Sequence, residues 1–194
     1  MLKLQKLHQY WHTQKSGKLF PSRKDIDPLD FWYALGDVSL IDVETEAGKT
    51  EQFRIRLLGS NIQARIGQSL TRKYLQEFPE TGSLNKMLLA YRQVLNSCEP
   101  VAYPSFFLDS QQQLPFICCI WPLSSNGIDI DMLLCCRERI WDDEIEHINT
   151  KDAGQFRIWP YQDWAGHPLL SALHSPQLSL EENQGDLTTD RPAC

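Results

Sequence analysis

The sequence predicts an α+β fold in which a five-stranded antiparallel sheet carries flanking helices, an N-terminal helical cap and a C-terminal extension. Apolar residues make up 42% of the 194 residues, which is enough for a sizeable core. The spacing of these residues changes from the helical period to strand alternation and back along the chain. The predicted elements therefore follow the order helices, two strands, several helices, three strands.

Residues 1–36 form the predicted helical cap. Residues 2–16 place apolar side chains at helical spacing, and Gly17 ends the run. The pair Asp27-Pro28 is typical of a helix start, because an acidic N-cap precedes a proline at the first helical position. We expect this second, short helix to end at Gly36.

Residues 37–139 form the predicted sheet domain. Alternation over residues 41–45 and 53–57, separated by a turn, indicates a β-hairpin. A short helix follows Ser60, and the strongest helical pattern covers residues 83–97. The last three predicted strands are 101–109, 115–123 and 128–137.

A four-residue loop at 124–127 would set the pairing of the last two strands. In that register Trp121 opposes Ile130 and Cys119 opposes Met132. Their side chains would then share one face, which we expect to point toward helix 83–97 and to shape an adaptable apolar pocket. A filled core without a ligand is the alternative. The predicted ligand-binding residues are Ile55, Leu57, Met87, Tyr91, Cys119, Trp121, Met132 and Leu134.

The opposite face of these strands is also partly apolar, and such a face needs cover. The N-terminal helix of this chain, or that of a second copy, is the predicted cover. A homodimer through this helix and the sheet is the predicted assembly. The predicted interface residues are Leu4, Leu7, Trp11, Phe116, Ile120 and Leu133.

Residues 140–174 are predicted to form a C-terminal extension, and residues 175–194 a disordered polar tail. The extension contains an aromatic segment at 156–164. The sequence leaves open whether residues 156–173 fold back over the sheet.

Charge and motifs exclude several classes of function. The net charge of −6 disfavours nucleic-acid binding. No apolar run reaches the roughly 20 residues of a membrane span, and the start lacks the apolar centre of a signal peptide, so a cytoplasmic protein is expected. No nucleophile, phosphate-loop or metalloprotease motif is present, which predicts that the chain is not an enzyme.

Metal binding is not expected either. His8 and His12 are spaced as helical neighbours, but no third ligand is evident, so solvated positions are the favoured interpretation. Cys118-Cys119 and Cys135-Cys136 lie in predicted strands, where adjacent side chains point to opposite faces. Neither pair can chelate as a unit, and buried thiols are predicted.

Six ordered segments, together with the element order, resemble a PAS family found mainly in alphaproteobacteria (PAS_5). The segments are LHQYW (7–11), PSRKDIDP (21–28), VSLIDV (38–43), FRIRLLGS (53–60), GQSLT (67–71) and WPLSSNG (121–127). The resemblance covers roughly residues 4–139. Arg72 departs from it, because the family usually has glycine after this threonine.

The resemblance implies a sensory or regulatory protein of bacterial signal transduction, with a pocket enclosed by sheet and helices and a surface that contacts a partner. A ligand-free interaction adaptor is the alternative. Flavin photochemistry is disfavoured because the segment 60–65 lacks the reactive cysteine of light-sensing PAS relatives. Haem is disfavoured because helix 83–97 lacks histidine.

Overall fold

One antiparallel sheet organises the protein, and helical layers cover both of its faces. The computed structural model describes residues 2–45, 50–109, 112–139 and 158–160. The strands are β1 (Val38–Glu44), β2 (Gln52–Leu58), β3 (Val101–Asp109), β4 (Gln112–Leu123), β5 (Met132–Arg139) and β6 (Trp159–Pro160). Their order in the sheet is β2-β1-β5-β4-β3-β6. The predicted α+β fold is confirmed, and the short β6 extends the predicted five strands at the β3 edge.

Helical segments precede and connect these strands. They are α1 (Leu2–Gln14), α2 (Ser60–Ile66), α3 (Gly82–Ser97) and the 3₁₀ segments Arg23–Asp25, Pro28–Asp37 and Leu75–Glu77. The Asp27 carboxylate accepts the Leu29 N–H at 2.9 Å, which caps the second 3₁₀ segment as the Asp27-Pro28 pair predicts. The cap of α3 is Thr81, whose hydroxyl accepts the Leu84 N–H at 3.1 Å, so the helix begins one residue before the predicted range 83–97.

The first face of the sheet, which we call the α1 face, lies under α1 and the segment Pro28–Asp37. Helical spacing brings Leu4, Leu7 and Trp11 onto one side of α1, and all three are buried. Each such side chain contributes roughly 1.5–3 kcal/mol on burial. The strand residues of the α1 face are Val38, Leu40, Ala102, Ile117, Cys119, Trp121, Leu123, Met132, Leu134 and Cys136.

The second face, which we call the α3 face, lies under α2, α3 and the 3₁₀ segment Leu75–Glu77. From the helices, Ile62, Leu75, Leu88, Tyr91 and Val94 are buried against it. The strand residues of the α3 face are Ile41, Val43, Phe53, Ile55, Leu58, Val101, Tyr103, Cys118, Ile120, Leu133 and Cys135. The two faces therefore each hold a complete apolar layer.

The β1–β2 hairpin contains an irregularity that alternation cannot reveal. Leu40 pairs with Leu57, whereas Ile41 pairs with Ile55, so the register shifts between them at Arg56. A bulge of this kind turns the following side chain to the other face. As a result Leu57 is 43% exposed at the sheet edge, while Ile55 remains buried on the α3 face.

The register predicted for β4 and β5 is wrong. Trp121 pairs with Leu134, not Ile130, and Cys119 pairs with Cys136, not Met132. The reason lies in the loop, which runs from Ser124 to Asp131. Its backbone is held by side chains: the Asp131 carboxylate accepts the Ser125 N–H and hydroxyl, and Asn126 Oδ1 accepts the N–H groups of Ile128 and Asp129 at 2.9 Å. Because the offset is an even number of residues, each side chain keeps its predicted face.

Several predictions concern residues outside the described ranges. They are the turn at 47–49, most of the extension at 140–174 and the tail at 175–194. Within the extension, Trp159 and Pro160 form β6 and pair with Ala102 and Val101 of β3. This pairing places β6 beside the sheet edge.

Candidate functional site

The candidate site lies on the α3 face, where three neighbouring strands place polar side chains in one row. Tyr103 of β3 pairs with Cys118 of β4, and Cys118 pairs with Arg137 of β5. Residues that pair directly across strands point to the same face. An arginine, a thiol and a phenol therefore lie side by side within an otherwise apolar layer.

Helix α3 adds two side chains to this row. Met87 and Tyr91 are separated by four residues and so lie on the same side of the helix. The Cys135 thiol donates to the Tyr91 hydroxyl at 3.7 Å, and Arg137 Nη2 lies 3.9 Å from Met87 Sδ. Phe53 of β2 closes one side, with its ring centroid 5.2 Å from that of Tyr91. We call Met87, Tyr91, Tyr103, Cys118, Cys135 and Arg137 the arginine cluster.

The hydroxyl and thiol groups of the arginine cluster are neutral near neutral pH. Burial raises the pKa of Tyr91 and of Tyr103 well above the usual value for tyrosine. Burial also raises the pKa of the Cys118 thiol, and that of Cys135 to about 12, although Arg137 opposes both shifts. These four groups carry no negative charge that compensates a cation.

Arg137 is the charged member of the arginine cluster. A guanidinium stays protonated at any physiological pH, although burial disfavours its charge. Its side chain is partly buried. Across the ranges that the structure describes, no carboxylate forms an ion pair with it.

Two more arginines lie at the same end of the α3 face. The guanidinium carbon of Arg65 from α2 is 4.8 Å from the centroid of the Phe116 ring. Arg139 pairs with Phe116 across β4 and β5 and shares its face with Arg137 by alternation. Arg65 also contacts the Asp37 carboxylate at 3.5 Å.

The structure divides the predicted ligand-binding residues between the two faces, which corrects their expected common interior. Ile55, Met87 and Tyr91 lie on the α3 face, and Leu57 is exposed at the edge. The other four, which are Cys119, Trp121, Met132 and Leu134, are buried under α1. Alternation correctly grouped these four residues of β4 and β5, but they pack against α1 and not against α3 as expected. It failed in β2, where the register shift separates Ile55 from Leu57. Ligand binding itself stays a prediction.

The predicted interface residues are all buried within one chain. Leu4, Leu7 and Trp11 pack against the α1 face, while Ile120 and Leu133 belong to the α3 face. Phe116 is buried beside Arg65. The face that carries Ile120 and Leu133, for which the N-terminal helix was the predicted cover, is covered by α3 instead, and α1 covers the opposite face. These side chains are not exposed for a second copy, and the homodimer stays a prediction.

Hydrogen bonds from two indoles attach α1 to the sheet. Trp11 Nε1 donates to the Pro122 carbonyl at 2.9 Å, and Trp121 Nε1 donates to His8 Nδ1 at 3.0 Å. The second bond requires that His8 Nδ1 carry no proton. Burial lowers the pKa of His8 to about 4, with smaller contributions from His12 and Lys15, so the bond persists at neutral pH.

Sequence reasoning missed Arg137 and Tyr103 as candidate site residues. A signal was present at Arg137, because it follows Leu133 and Cys135 at the alternate positions that face α3. A charged residue at an inward position is costly unless something compensates it, and such positions point to function. Tyr103 has no comparable signal, since tyrosine is common in strands.

A search for membrane-spanning helices within the described part of the chain finds none. A family model described as a PAS domain matches residues 2–116, which is more than half of the chain. The match ends within β4, although the sheet continues to Arg139. No curated protein matches the chain at a significant level.

Proposed function

The chain belongs to the PAS domain family, and on that premise we propose that it is a sensory or regulatory protein of bacterial signal transduction. In this proposal it binds a small, largely apolar molecule between α3 and the sheet and passes the change to a protein partner. The observation that carries the proposal is the arginine cluster, a group of polar side chains within an apolar layer. A few polar groups among apolar side chains are typical of small-molecule sites.

The side chains around the cluster suit an adaptable site. Met87 is flexible and can repack around an apolar ligand. Tyr91 and Tyr103 supply hydroxyl groups that orient one polar end. A ligand held here contacts α3 and three strands together, so binding would shift α3 relative to the sheet. Such a shift is the proposed signal.

The remaining parts of the proposal concern catalysis and location. We propose that the chain is not an enzyme and acts in the cytoplasm. Support comes from the arginine cluster, whose buried thiols have raised pKa values and are therefore poor nucleophiles at neutral pH. The net charge of −6 supports a partner other than nucleic acid.

Ligand binding is tested by native mass spectrometry of the purified protein together with a thermal-shift screen of metabolites. We expect a co-purified small molecule, or metabolites that raise the melting temperature by several degrees. Tyr91→Phe should reduce that shift, whereas Tyr74→Phe, outside the cluster, should preserve it. Absence of any bound molecule and of any shift would overturn the proposal.

A ligand-free interaction adaptor is the second candidate, and one observation favours it. Leu29 and Trp32, in the 3₁₀ segment Pro28–Asp37, are 75% and 73% exposed. Large apolar side chains grouped on a surface are typical of interaction sites. If this segment binds a partner or a second copy, Leu29→Ser/Trp32→Ser should weaken the association. Leu89→Ser, an exposed position on α3, is the matched control. Association that is equal in all three proteins would exclude this segment.

A further inference from the structure

The proposed ligand can be assigned to a chemical class through Arg137. A guanidinium has five N–H donors and keeps its charge at any physiological pH. Among the described residues, its hydrogen-bond acceptors include the sulfur atoms of Met87 and Cys118, and sulfur is a weak acceptor. These two acceptors are weak, and the charge of Arg137 has no carboxylate counterpart in the described ranges.

Desolvation of the Arg137 charge opposes folding. Taking a guanidinium out of water without a counter-charge has a large free-energy cost. Arg137 remains partly accessible, so an anion can reach it without unfolding of the core. An anion at this point would remove the electrostatic cost.

We propose that the arginine cluster binds the carboxylate of a small organic acid, with its apolar body lying along the α3 face. This inference rests on the proposed function, because it specifies the ligand of that same site. A planar carboxylate matches the guanidinium through two parallel hydrogen bonds. The hydroxyl of Tyr91 is neutral and accepts from the Cys135 thiol, so its own proton can be donated to the same oxygens. Apolar side chains beside the cluster, such as Ile120 and Leu133, would contact the body of the acid.

The test compares acids with their uncharged amides on the full chain. The probes are octanoate with octanamide and 1-naphthoate with 1-naphthamide, at constant ionic strength near neutral pH. Isothermal titration gives the dissociation constants, and thermal unfolding gives an independent measure of binding. We expect each acid to bind at least about tenfold more tightly than its amide.

Two substitutions of Arg137 and one control sharpen the test. Arg137→Met should abolish the preference for acids and raise the melting temperature of the ligand-free protein. If Arg137 had a purely structural role, the same substitution would lower the melting temperature. Arg137→Lys keeps the charge but loses the bidentate geometry, so the preference should remain at lower affinity. Arg92→Gln, which removes a partly exposed charge elsewhere on α3, should leave the preference unchanged.

The outcomes separate this inference from the proposed function. If amides bind as tightly as acids, the carboxylate inference is overturned while a ligand site remains. If no probe binds but native mass spectrometry finds a neutral molecule, the same conclusion follows. If Arg137→Met does not fold, an unchanged affinity in Arg137→Lys is enough to overturn the inference. Absence of any ligand, neutral or charged, overturns both.

Discussion

The two faces of the sheet are equally apolar but differ in how their polar groups are satisfied. On the α1 face, the indole N–H groups of Trp11 and Trp121 each have an acceptor in the same chain. On the α3 face, Arg137 has no described carboxylate partner. A structural layer satisfies its own polar groups, whereas a binding layer leaves some for a ligand. The α1 face is therefore structural, and the α3 face is the candidate for binding.

The largest expected effect tests whether the α1 face is structural. Trp121→Ala removes a fully buried indole and the bond to His8, and should lower the free energy of unfolding by about 3–5 kcal/mol. Trp121→Phe keeps most of the packing and should lower the free energy of unfolding by about 1–3 kcal/mol, because the indole N–H that donates to His8 Nδ1 is removed. Urea denaturation followed by circular dichroism measures both values.

The exposed Trp32 provides the control for this prediction. Trp32→Ala should change the free energy of unfolding by about 0.5 kcal/mol or less. A loss at Trp121 as small as that at Trp32 would mean that the α1 layer does not hold the fold together.

Adjacent residues of β5 give the next largest effect, with opposite signs on the two faces. Glu138 accepts the N–H of Leu4 in the first turn of α1 at 3.2 Å. Glu138→Met removes this acceptor and should destabilise the protein by about 1–3 kcal/mol. Arg137→Met removes a cation that has no described counter-charge and should stabilise it by roughly 1–2 kcal/mol.

Both variants are measured by urea denaturation in the same buffer, without added organic acids. Opposite signs would support the contrast between the two faces. If Arg137→Met destabilises the protein as strongly as Glu138→Met, then Arg137 is part of the structural framework and the contrast fails.

A smaller effect is expected from pH, and it again tests the α1 face. The pKa of His8 is about 4 in the folded chain, below the value near 6.5 of the unfolded chain. The unfolded state therefore binds the proton more readily as pH falls. The contribution of neutral His8 to the free energy of unfolding is therefore at its full value above pH 6.5, and it is lost as pH falls toward 4. The slope from this group cannot exceed about 1.4 kcal/mol per pH unit, because one histidine takes up one proton.

Chemical denaturation between pH 7 and 5 measures this dependence, in a window where carboxylates contribute less. His8→Gln retains a hydrogen-bond acceptor for Trp121 and does not titrate, so its stability should vary less with pH. His12→Gln should keep the dependence of the natural chain. An equal slope in all three proteins would show that His8 does not control attachment of α1.

The smallest expected effect concerns the edge of the sheet. Leu57 is exposed because the register shifts beside it, so Leu57→Ala should cost about 0.5 kcal/mol or less. Ile55→Ala should cost about 2–5 kcal/mol, because its side chain is buried on the α3 face. Thermal unfolding of the two variants provides the comparison. Equal losses would show that the bulge does not separate the two residues in solution.

Much of the fold was predictable from local pattern. The cap at Asp27, helix α3 and the strands that flank the β1–β2 turn all follow from residue types and spacing. The loop after β4 was not predictable in length, because Asp131 reads as part of an alternating strand while its carboxylate actually closes the loop. The bulge at Arg56 has no marker in the local sequence.

The candidate site was only partly predictable, for a related reason. Met87 and Tyr91 were found because helical spacing marks the side that packs. Cys118 and Cys135 were recognised as buried thiols, but their position beside Arg137 and Tyr103 depends on the register of three strands. Contacts between distant strands have no local sequence signal, so a site that is built from them needs the tertiary structure.

The sequence by itself determined which residues of β4 and β5 share a face, since side chains alternate along these strands and even the wrong register preserved that grouping. The bulge in β2 is the exception. Only the tertiary structure decided which helix covers which face. Trp121 and Cys119 lie under α1, and Ile120 and Leu133 lie toward α3, opposite to the expected arrangement. The physical reason is symmetry: both faces are apolar, and burial of either one under either helix lowers the free energy by a similar amount. The choice depends on chain connections and on specific bonds such as Trp121 to His8, which arise only when the whole chain has folded.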